Sequence, residues 1–157
     1  MAGYKTDIWE TLRGEYKLPV NAVANRLMLL IHYYTPWTFV GMEKDEPWGK
    51  VRTTWGSEGD WKELIELFDD LASFSRRHSI PIFLGEFSVA SRKEKASGVV
   101  WTNSVFQAGV SRGMVPVLWD TGGAVSLHPP YAPTEELADM MALWKAPAPS
   151  PDSPPLE

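Results

Sequence analysis

A chain of 157 residues, 44% of them hydrophobic, has the length of one domain and enough apolar material for a real core. Its formal charge of -5 and the absence of a Lys/Arg-rich run argue against nucleic acid or an anionic membrane as the main partner. There is no cysteine, so disulfides, thiolate catalysis and sulfur-ligated metals are excluded, and no segment reaches the roughly 18–20 apolar residues of a membrane span. The N-terminus lacks the charged-then-apolar layout of a signal peptide, so no address is expected in the chain as it stands.

Residues 1–26 show no clear period and read as loop with a short helix around Asp7 to Arg13. Leu27 to Tyr34 opens on the apolar run Leu27-Met28-Leu29-Leu30-Ile31, the pattern of a strand buried on both faces. Residues 35–59 read as a long loop, and loops beyond about 12–15 residues are generally functional or disordered. Its charges from Glu43 to Lys50 read as a solvated surface. From about Asp60 to His78, Leu64, Leu67, Phe68, Leu71 and Phe74 repeat at helical spacing; Ser57 and Asp60 form a capping-box pattern, and Arg76, Arg77 and His78 suit the negative end of the helix dipole.

Ile80 to Phe87 is a second strand, Gly98 to Arg112 a helix stopped by Gly113, and Val115 to Trp119 a third strand. The last helix starts at Thr134 as N-cap and places Leu137, Met140, Met141 and Trp144 on one face. Strand and helix alternate three times, which predicts a parallel α/β sheet with right-handed crossovers. Residues 1–145 form the expected domain; 146–157, rich in proline, read as a linker or a cloned end.

The chemistry-bearing residues gather where parallel sheets bind ligands, at the carboxyl ends of strands. Ile82-Phe83-Leu84-Gly85-Glu86-Phe87 ends a buried strand on a carboxylate. The first strand ends on His32-Tyr33-Tyr34 and the third on Trp119-Asp120. Side chains alternate along a strand, so Tyr33 points away from Tyr34 and reads as packing. Tryptophan is the compositional outlier, with eight copies. Trp101 and Trp144 fall in helical patterns and read as core. Trp37, Trp48, Trp55 and Trp119 sit in or beside segments that follow strands, where flat rings suit stacking on sugars and equally suit loop packing. His32, His78 and His128 show no metal-ligand spacing, and there is no phosphate loop or dinucleotide fingerprint, so neither metal nor cofactor is expected. Asp120-Thr121-Gly122 spells the aspartic protease tripeptide, but in an alternating α/β chain it carries little weight.

His32-Tyr33-Tyr34-Thr35-Pro36 after an apolar strand, then Gly85-Glu86-Phe87, then Val117-Leu118-Trp119-Asp120, in that order, resembles the C-terminal part of a glycoside hydrolase family 5 cellulase. The resemblance implies a TIM (β/α)8 barrel, of which this chain supplies about strands six to eight with their helices. It implies Glu86 as the nucleophile of a retaining enzyme, Tyr34 as the phenol bonded to it, His32 lining the same sugar subsite, and Trp119 as the platform under the sugar ring. Trp37 and Trp55 join Trp119 as expected substrate-binding residues. The implied partner is a β-glucan or related oligosaccharide, and the implied location of a parent enzyme is secreted.

The family pattern departs at one point. Retaining hydrolysis uses two carboxylates about 5–5.5 Å apart, and the family's Asn-Glu-Pro acid/base motif does not occur here. Asp120, Glu43 and Asp45 are candidate substitutes, and spacing recommends none of them. A barrel part leaves sheet edges and an apolar inner face uncovered. A homo-oligomer or a complementing N-terminal half is therefore expected. The competing expectation is a non-catalytic carbohydrate-binding scaffold that self-associates.

Overall fold

The computed structural model describes residues 6–13, 17–20, 23, 25–90, 93–126 and 128–144. The expected tail, 146–157, lies outside the described residues. Three strands, β1 (Leu29–His32), β2 (Ile82–Glu86) and β3 (Val115–Pro116), form one parallel sheet in the order β1-β2-β3. The helices are α1 (Ile8–Leu12), α2 (Trp37–Val40), α3 (Glu58–His78), α4 (Lys95–Ser111) and α5 (Glu135–Trp144). Each strand pair is joined through a long helix, so the expected alternation is present.

α3 starts where its capping box places it: Ser57 Oγ accepts from the Asp60 amide at 3.3 Å, and Asp60 Oδ2 accepts from the Ser57 amide at 3.0 Å. It ends on Ser79 in the left-handed conformation, φ 53°. Its apolar stripe, Leu64, Leu67, Phe68, Leu71 and Phe74, is buried. α4 begins three residues before the expected Gly98, because Glu94 acts as N-cap and accepts from the amides of Ala96 and Ser97. α5 packs on α4 through stacked Phe106 and Trp144, ring centroids 4.1 Å apart, and a Lys95–Glu136 ion pair of 2.8 Å. Its expected face holds only in part: Leu137 and Met140 are buried, whereas Met141 is exposed.

The sheet's two faces differ. Leu29, Ile31 and Tyr33 of the first strand segment, with Ile82, Leu84 and Phe87 of the second, are buried together with Phe68 and Trp101 in one core. Tyr33 packs there as expected, its ring stacked 5.7 Å from Trp101 and edge-on 5.2 Å from Phe68. Leu30 pairs in register with Phe83, and Phe83 with Val115, so these three form a row on the opposite face. That face is half-buried to exposed; Val115 is 48% and Val117 40% exposed. The expected third strand reached Trp119, but regular pairing stops at Pro116, which has no N–H to give. Its path continues beside β2 through Val117 N–H to Leu84 O at 2.8 Å and Trp119 N–H to Phe87 O at 3.1 Å.

Candidate active site

The site forms at the carboxyl ends of these strands. In β1 the alternation is regular, with Leu29, Ile31 and Tyr33 buried in the core and Leu30, His32 and Tyr34 half-buried on the other face. In β2 it is not. From Leu84, strict alternation would send Glu86 into the core, yet Ile31 pairs with Leu84 and His32 pairs with Glu86, skipping Gly85. This bulge turns Glu86 out beside His32 and Tyr34 and sends Phe87 into the core. Glycine leaves room there, because a Cβ at position 85 would meet Leu30 Cδ1 and press on Phe83, so that Leu30 would have to shift.

Two groups converge on one carboxylate oxygen. The Tyr34 hydroxyl donates to Glu86 Oε2 at 3.1 Å, and His32 Nδ1 stands 3.2 Å from the same atom. Burial, with the Glu86 hydrogen bond and charge beside it, pushes the Tyr34 phenol up to about 12, so it keeps its proton and remains a donor. The turn beyond Tyr34 is fixed from the core, where Trp101 Nε1 donates to Thr35 O at 3.0 Å.

The tryptophans divide. Trp119, 49% exposed, reaches the site end of β2 through its bond to Phe87, and Trp37, 52% exposed, meets Tyr34 edge-on at 6.5 Å. Trp55 corrects the expectation of a sugar-contacting ring: it is 7% exposed and packs 5.0 Å from Trp61, as part of the core beside the start of α3. Trp37 belongs to α2, a helix of four residues inside the expected loop and too short to leave a periodic signal.

Two of the candidate substitute acids, Asp120 and Asp45, fare poorly. Asp120 is spent on its own loop: Oδ1 accepts from the amides of Gly122, Gly123 and Ala124, and Oδ2 from Val125, at 2.8–3.0 Å. The Ala124 amide, followed by the others against slight desolvation, holds its carboxyl below the usual range, which disfavours the protonated form an acid needs. Asp45 is likewise lowered, chiefly by Lys50 and then by the Val51 amide. Among the described residues no group of three His, Asp or Glu side chains is placed to hold a metal ion.

A protein-family model described as cellulase (glycosyl hydrolase family 5) matches residues 4–125. Endoglucanase H of Acetivibrio thermocellus is 34% identical over 91 residues, covering 58% of this chain and 9% of that protein. The xyloglucan-specific endo-beta-1,4-glucanase of Bacteroides ovatus is 25% identical over 138 residues, covering 76% of this chain and 26% of that protein. Among solved structures, a broad-specificity endoglucanase from an uncultured bovine rumen ciliate superposes with a TM-score of 0.75 at 24% identity, covering 88% of this chain and 44% of that one. The Bacteroides ovatus xyloglucanase in complex with a heptasaccharide gives 0.73 at 22% identity, covering 90% and 34%. At these identities the structural likeness establishes the fold: three parallel strands matching part of a TIM barrel. The chain spans less than half the length of each of these relatives.

Proposed function

The chain belongs to glycosyl hydrolase family 5, and from that premise we propose that it is the nucleophile-bearing portion of a retaining endo-β-1,4-glucanase-like enzyme. The observation that carries the reading is the convergence of Tyr34 and His32 on Glu86 Oε2. Tyr34 and His32 orient the carboxylate through that one oxygen, and Oε1 is assigned the attack. Oε1 bonds to the anomeric carbon while the glycosidic C–O bond breaks, giving a covalent glycosyl-enzyme and a leaving oxygen that takes up a proton. Water then attacks the same carbon, loses a proton, and frees Glu86. The transition state carries positive charge on the sugar, which the carboxylate opposes directly. Trp119 and Trp37 offer ring faces to the apolar face of the sugar.

In this reading the proton donor is a second carboxylate supplied from outside the described residues, so the chain on its own hydrolyses poorly. Its open sheet face is read as the contact surface for a second copy of the chain. The engagement of Asp120 by four backbone amides favours one alternative, a carbohydrate-binding scaffold in which Glu86 does no chemistry. Hydrolysis of carboxymethyl-cellulose by the chain and its Glu86→Gln variant, with solution mass recorded on the same samples, tests these readings. Activity lost in the variant supports catalysis by Glu86, and activity retained in the variant contradicts it. Sugar binding in both without turnover, even after the remaining barrel strands are supplied, supports the scaffold.

A further inference from the structure

α2 is four residues long, too short to persist as an isolated helix, yet it carries Trp37 against Tyr34 at the edge of the Glu86 site. Its outside support comes from the segment that follows Glu86. We propose that Lys93 is a positioning residue of the site: its ammonium gathers the loop after β1 and thereby sets the Trp37 ring where a sugar can stack on it. The inference rests on the reading of the Glu86 face as a β-glucan site.

Carbonyls at the end of a helix need partners from outside it. In α2 they find them across the chain. Lys93 Nζ donates to Met42 O at 2.7 Å, to Arg52 O at 3.1 Å and, at the long distance of 3.5 Å, to Thr38 O. Thr38 O also accepts from the Arg52 amide at 2.9 Å, and Val40 O accepts from the Ala90 amide at 2.9 Å. The Met42 amide in turn donates to Trp37 O at 3.0 Å, so Met42 links the ammonium to the Trp37 backbone. The Trp37 ring lies over Gly41, where an added Cβ would meet three of its atoms, and it stands edge-on to Tyr34 with centroids 6.5 Å apart. Tyr34 donates to Glu86 Oε2 at 3.1 Å, which joins this loop to the site.

The residue type fits the task. Three carbonyls from separate points of one loop converge on a single atom, and a compact ammonium with three donors meets them, whereas a guanidinium holds its donors in one planar fork. Lys93 is half-buried, so these bonds compete less with water than they would on the open surface. Ala90 and Lys93 follow Glu86 along the chain, so the strand end that presents the carboxylate also fixes the loop that presents the ring. A ring held in place before the sugar arrives loses little freedom on binding it.

The chain has no cysteine of its own, so Lys93→Cys creates a single alkylation site. There, 2-bromoethylamine rebuilds a side chain of lysine's length with its ammonium, and 1-iodopropane builds one of the same length without charge. The test is calorimetric titration of cellotriose into the Glu86→Gln protein with Lys93 intact, with Lys93→Cys, and with each alkylated form. The inference expects Lys93→Cys to weaken binding by about tenfold, the size of a lost aromatic contact, the aminoethyl form to regain it and the propyl form not to. A loss of folding stability alone lowers the amount of binding-competent protein and leaves its affinity unchanged, so affinity is the quantity read. Unchanged affinity in Lys93→Cys, equal recovery in both alkylated forms, recovery in neither, or no binding by any form overturns it. Trapping of Glu86 by an activated glycoside is scored separately in chains that keep Glu86. Lys93-dependent binding without trapping leaves the positioning role standing and removes the catalytic reading; trapping without a Lys93 effect does the reverse.

Discussion

The two faces of the sheet are made from the same strands and the same kinds of residue, yet they serve opposite ends. Leu29, Ile31, Ile82 and Leu84 are closed off by α3 and α4, whereas Leu30, Phe83, Val115 and Val117 face away from those helices. The closed face makes the fold, and its rings also hold the turn next to the site. The open face carries Glu86, His32 and Tyr34 at its end, which places the candidate site on the side that the helices do not cover. A single bulge at Gly85 moves Glu86 from one face to the other.

Substitutions on the two faces should separate accordingly. Trp101→Ala empties the centre of the closed face and removes the bond to Thr35. It is expected to cost about 3–5 kcal/mol, read as a shift in the urea midpoint. Gly85→Ala acts at the crossing point, where the new methyl meets Leu30; a loss of about 1–3 kcal/mol is expected, together with misplacement of Glu86. A stable variant with unchanged reactivity at Glu86 would break the argument for the bulge.

An effect of similar size is expected from Asp60, which caps α3. Burial works to raise its pKa, but bonds from Arg52 at 2.7 Å and from Ser57 and Gly56 outweigh it and hold the carboxyl at about 2, against an ordinary 3.8. The folded value lies below the unfolded one, so this stabilisation is complete above about pH 4 and is lost as pH falls through 2. Asp60→Asn should remove about 1–3 kcal/mol at neutral pH and flatten the urea midpoint between pH 4 and 2. Smallest of all, Val115→Lys and Val117→Lys on the open face should shift folding stability by about 0.5 kcal/mol or less each. They should nonetheless lower the solution mass of the chain in light scattering. A wild-type monomer would show that the open face needs no second copy.

Much of this was legible in the sequence, for physical reasons that can be named. Continuous apolar runs at Leu27–Ile31 and Ile80–Leu84 mark strands, and the three-and-four spacing from Leu64 to Phe74 marks α3, because burial on one side leaves a period. The capping box at Ser57 is local chemistry and is read directly. The partnership of Tyr34, His32 and Glu86 followed from family resemblance and strand order, and the observed distances bring the three together. What escaped is what depends on a neighbour. The bulge at Gly85 shows only in the pairing with the adjacent strand, where Ile31 meets Leu84 and His32 meets Glu86, and the burial of Trp55 only in its packing against Trp61. Asp120 looked available because its four amide donors come from a loop without periodicity.

The central claim is that Glu86 is a nucleophile presented on the open face. Mass spectrometry of the chain after incubation with a 2-deoxy-2-fluoro cellobioside bearing an activated leaving group tests it most directly, because such a leaving group departs without a protonating acid. The account predicts a covalent glycosyl adduct on the peptide containing Glu86, absent in Glu86→Gln. An adduct on another residue, or none in a chain that binds the sugar, would contradict it.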